Sequence, residues 1–95
     1  MLIQANLIAI RQHQMLLHEE LRLVMLIKDV IQSEISLDAC DMIVGKKRMH
    51  WAEAEERHIR DRLTLLQSIE NNLSSADNNA KALIRDALDS VNSLS

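Results

Sequence analysis

A chain of 95 residues with no proline, and with its only glycine at Gly45, has almost nothing with which to end a helix or close a hairpin. Leu, Ile, Ala, Met, Glu, Arg and Gln fill the space between, and most of these are strong helix formers. The fold class that follows is all-α. The spacing predicts one helical domain over residues 1–95, with helices at about 2–33, 37–73 and 76–93: a long antiparallel hairpin followed by a shorter C-terminal helix.

The first segment carries a stripe in alternating steps of three and four: Ile3, Leu7, Ile10, Gln14, Leu17, Leu21, Val24, Lys28 and Ile31. Beside it runs a second apolar row of Leu16, Leu23, Ile27 and Val30, and between Leu21 and Ile31 only Arg22, Lys28 and Asp29 are polar. A helix that is apolar on more than one side has to be covered on more than one side. The second segment repeats the pattern through Met42, Gly45, Met49, Ala52, Glu56, Ile59, Leu63, Leu66, Glu70 and Leu73. Gly45 and Ala52 are small enough to let another backbone come close. Ser36 is the expected N-cap of this helix, with Asp38 in its first turn.

Asn71–Asn79 is the richest turn-like stretch, and Ser74 followed by Asp77 has the form of a capping box. A third helix is expected to follow, with Ala76, Ala80, Leu83, Ala87, Val91 and Leu94 on one stripe and Ile84 and Leu88 alongside. At 1.5 Å per residue the first two helices come to roughly 50 Å each and the third to about half that. So short a helix covers only part of the outer flank of the first. Dimerisation, closing a four-helix-type bundle, would cover the rest, as would a helical partner protein.

Composition removes several classes of function. There is no Phe or Tyr and one tryptophan, Trp51, too few rings for base stacking. The core is then aliphatic, of the kind coiled-coil seams use. The net charge of −3 gives no long-range pull toward nucleic acid, and Lys46-Lys47-Arg48 is a single basic turn rather than a stripe. No stretch reaches the ~20 apolar residues of a membrane span. One cysteine, Cys40, rules out an internal disulfide, and the N-terminal MLIQANLIAI lacks a basic signal-peptide start. A cytoplasmic setting is expected. Asp38 and Asp41 beside Cys40 disfavour its thiolate, so a semi-buried structural thiol is expected rather than a nucleophile.

Two constellations bear on chemistry. Glu55 and His58 stand three apart on one helical face, where a carboxylate and an imidazole can share a metal ion. With Glu19 or Glu20 from the first helix, this set resembles small ferritin-like proteins, and the resemblance implies a metal site of Glu20, Glu55 and His58 at a dimer interface. The competing expectation is a solvated, ion-paired face, since Glu53 with Arg57 and Glu56 with Arg60 are i,i+4 pairs. Separately, Arg11 and a basic residue seventeen positions on, followed by Val44-Gly45-Lys46 and Arg60-Asp61, resemble the small all-helical chorismate mutases, which are intertwined dimers. The family has arginine where this chain has Lys28, which lacks the planar fork that clamps a carboxylate.

The function that fits best is that of a helical protein–protein interaction module: an adaptor, regulator, assembly factor or chaperone-like protein without cofactor. It is expected to self-associate and to bury a partner helix through Leu16, Leu23, Ile27 and Val30, with Leu83, Ile84 and Leu88 lent by the C-terminal helix. Trp51 is expected as a packing residue at a rim between subunits. The metal-binding bundle and the mutase-like enzyme are the alternatives.

Overall fold

The computed structural model describes residues 2–38 and 41–94. Two helices account for nearly all of them: α1, Leu2–Ser36, and α2, Met42–Leu94. They fold back on each other as one antiparallel hairpin, 82 Å long and only 17 × 15 Å in cross-section. The expectation for Cys40 lies outside the described residues.

The stripes read from the sequence are the faces that meet. Leu7, Leu17, Val24 and Ile31 of α1 are buried, as are Gly45, Ala52 and Ile59 of α2. Leu17, Val24 and Ile59 form the centre of the seam, with Leu21, Leu63 and Leu66 packed around them. Gly45 and Ala52 are buried in the seam and put little bulk between the two helices there.

Four seam positions are polar, and they find one another. The Lys28 ammonium donates to Glu56 Oε1 at 2.8 Å, and Gln14 Nε2 donates to Glu70 Oε2 at 3.0 Å. Arg11 Nε donates to the other Glu70 oxygen at 3.0 Å. Arg48 is paired with Glu34 near the turn, and Gln4 with Asp77 near the far end. Gln14 and Lys28 are fourteen residues apart, and so are Glu56 and Glu70, so one antiparallel register satisfies both pairs. A one-turn slip would leave half-buried charges facing leucines, a penalty of the kind by which polar seam residues fix register.

The turn differs from the expectation. Ser36 does not cap the second helix; it is the last residue of α1. The chain reverses through Asp38, whose φ of 53° puts it in the left-handed region. Its N–H donates to the Ile35 carbonyl at 3.2 Å, while the Leu37 N–H donates to the Ser33 carbonyl at 3.0 Å. Glycine usually takes this place, and aspartate is among the few other residues that visit it. Asp41 is the N-cap of α2: its Oδ1 accepts from the N–H groups of Ile43 at 2.8 Å and Val44 at 3.2 Å.

The separate C-terminal helix is also corrected. α2 runs unbroken through Asn71–Asn79 for 53 residues. Asn and Ser inside a helix each cost only about 0.5 kcal/mol relative to Ala, and without Pro or Gly nothing forces a stop. Local bonds offset the cost: Gln67 Nε2 donates to Asn71 Oδ1 at 3.1 Å, and Lys81 pairs with Asp77 at 3.0 Å. Asp77, read as part of a capping box, is instead a mid-helix acceptor. The cross-links show α2 passing the N-terminus of α1 at about residue 80, so a segment of roughly fourteen residues, about 20 Å, continues alone.

Candidate interaction surface

On the flank of α1 turned away from the seam, Ala9, Leu16, Leu23 and Val30 recur every seven residues, and Leu37 follows at the same interval in the turn. None is covered: Leu16 is 66% exposed, Leu23 51% and Val30 54%. Ile27 lies closer to the seam and is the least exposed of the predicted row at 39%. Met15 and Leu26 widen the strip. These two lie outside the row read from the sequence, although counting each at its own heptad position finds them. An open groove between Leu26, Val30 and Leu37, edged by Asp29, Ser33 and Glu34, lies toward the turn. A second, floored by Met15 and Leu16, lies between Gln12, His18 and Glu19.

α2 carries two further patches. Val44 and Trp51 are seven apart and each a little over half exposed. Leu83, Ile84, Leu88 and Val91 line the unaccompanied segment, where every described side chain is exposed. Isolated exposed leucines are ordinary on protein surfaces, whereas here the exposed apolar side chains form contiguous rows.

Electrostatics concentrates in the seam. Glu56 bridges two cations, Lys28 at 2.8 Å and Arg60 at 3.2 Å. The hydrogen bond from Lys28, followed by that from Arg60, holds the Glu56 carboxyl below its ordinary value. The same bond to Glu56 raises the Lys28 ammonium above its own. Glu70 is lowered by the hydrogen bond from Arg11 and then by that from Gln14. Arg11 and Lys28, the two positions of the mutase resemblance, therefore each hold a glutamate of α2.

Of the residues suggested for a metal, Glu55 is half-buried while Glu20 and His58 are exposed. Glu56 faces Lys28, which puts Glu20 eight residues, about 12 Å, along the rod from the level of Glu55 and His58. Among the described residues no group of three His, Cys, Asp or Glu side chains is placed to hold a metal ion. Nor is any described helix long and apolar enough to cross a membrane. The chain matches no family model, no curated protein and no solved structure.

Proposed function

We propose that this chain is a helical association module, which self-associates along the outer row of α1 and buries a partner helix. The observation that supports it is the heptad spacing of Leu16, Leu23 and Val30 on a flank that α2 does not reach. A two-helix hairpin can shelter one stripe of each helix, and α1 has two. The work of such a module is binding: its apolar rows supply affinity, while the charged residues between them select orientation and partner. The unaccompanied end of α2 is a second contact point, suited to a helix that lies across Leu83, Ile84 and Leu88. Adaptors, assembly factors and chaperones of secreted or assembling proteins work in this way.

Sedimentation equilibrium from about 1 to about 100 µM, a span that brackets ordinary dimer affinities, tests the reading. A mass above the 10.9 kDa of one chain is expected, together with its loss in Leu23→Lys/Val30→Lys. A fully helical chain that stays at one copy throughout, and takes up no helical partner, ends it.

A further inference from the structure

The occupant of the outer row can be named, on the footing of the association reading above. That row is itself a heptad seam: Leu16, Leu23 and Val30 alternate with Gln12, Glu19, Leu26 and Ser33 in steps of four and three. A second helix can therefore lie along it with knobs in holes. Beside it stand Arg22 and Asp29, seven residues apart and both exposed. Arg22 reaches Glu19 of its own helix, at 3.1 Å, with its side chain 62% exposed.

We infer that the outer row of α1 is covered by α1 of a second copy, antiparallel, about a two-fold axis that passes near Met25. In this register Leu23 of each copy packs against Leu26 of the other. Arg22 of each copy comes level with Asp29 of the other, so the symmetry makes the ion pair twice. The alternatives fail on charge. Sliding one helix by a heptad in either direction brings Arg22 onto Arg22 or Asp29 onto Asp29. A parallel pair stacks Glu19 on Glu19 within the seam and sets Asp29 toward Glu34. Like charges held together at a seam are destabilising, which is how coiled coils reject a wrong partner or direction.

This pairing covers about residues 13–36 of each α1 and places the two copies of α2 on the outside. The unaccompanied ends of α2 then point in opposite directions, with Leu83, Ile84 and Leu88 still open to a further helix.

The test is made in the full chain with Cys40→Ser and a nitroxide on Ala5→Cys, a position exposed in the hairpin and beyond the proposed contact. The antiparallel dimer sets the two labels about 60 Å apart, and a parallel one within about 20 Å. Arg22→Asp should weaken dimerisation by about tenfold, and Arg22→Asp/Asp29→Arg should bring it back to within about threefold. Both side chains are exposed, and far-UV circular dichroism reports whether each variant keeps its helices. A chain that stays at one copy overturns both the inference and the self-association beneath it. A dimer with close labels, or a double variant no tighter than Arg22→Asp, overturns the inference alone.

Discussion

Lys28 and Glu56 meet at 2.8 Å across the seam, each side chain no more than a quarter exposed. Their contact ties the two helices together and, with Glu70, makes stability depend on pH. Glu56 and Glu70 lie below their ordinary 4.5 when folded, so the unfolded chain takes up protons first as the medium is acidified. The stability they contribute is present above pH 4.5 and is lost as pH falls through their lower folded values. Lys28 works in the opposite sense: its contribution is present below 10.5 and is lost as pH rises through its raised folded value. Thermal melts across the pH range should show a plateau between these limits. Glu56→Gln should flatten the acid limb, and an unchanged limb would detach the pair from stability.

Gly45 is buried within α2 and has no positive φ, so its role there is absence of bulk rather than backbone freedom. Gly45→Leu should destabilise the hairpin by about 2–3 kcal/mol through overpacking, even though leucine is the better helix former. Gly45→Ala should cost much less. Urea melts of the two variants give the comparison, and a stabilised leucine variant would mean the seam is loose at that end.

Asp38 occupies a backbone conformation that costs an L-residue about 1–2 kcal/mol. Asp38→Gly should therefore raise stability by about 1 kcal/mol, an unusual direction for a substitution to glycine. Asp38→Val should lower it. The thermal midpoints of the two variants should move apart on either side of the parent.

Residues 82–94 have exposed side chains wherever these are described, and they lie beyond the Gln4–Asp77 hydrogen bond to α1. A lone helix of that length is marginal in water. Its amides should exchange with solvent far faster than those around Leu17 and Ile59. Ending the chain at Lys81 should change hairpin stability by less than about 0.5 kcal/mol, whereas ending it before Leu73 should cost clearly more. Hydrogen exchange and urea melts of the shortened chains check both statements.

Much of the hairpin is legible in the residues because a seam repeats. From Leu7 to Ile31, and from Gly45 to Leu73, the alternating steps of three and four pick out the buried face position by position. The polar members of those stripes are visible too, but their partnership is not. It shows only when the equal spacing of Gln14–Lys28 and Glu56–Glu70 is laid antiparallel. The turn falls later than the sequence suggests because Asp38 stands where a glycine is the usual signal. Local preference points to a break at Asn71–Asn79, yet residues that favour turns do not make one unless something stops the helix. The outer row of α1 is plain as a pattern, since apolar spacing is local. That α2 leaves this row exposed is not local: it follows from which stripe of α1 the seam takes up.

α2 outruns α1 by about a quarter of its own length, so the rod tapers: two helices thick for most of its span, one at a single tip. A tapered rod has a direction, and two of them overlapped at their turn ends about the proposed two-fold axis would present a slender tip at each extreme. The midpoints of those tips would stand about 90 Å apart. Anything that grips both is then held at a fixed distance, as by a spacer bar whose gauge is written in the unequal lengths of two helices.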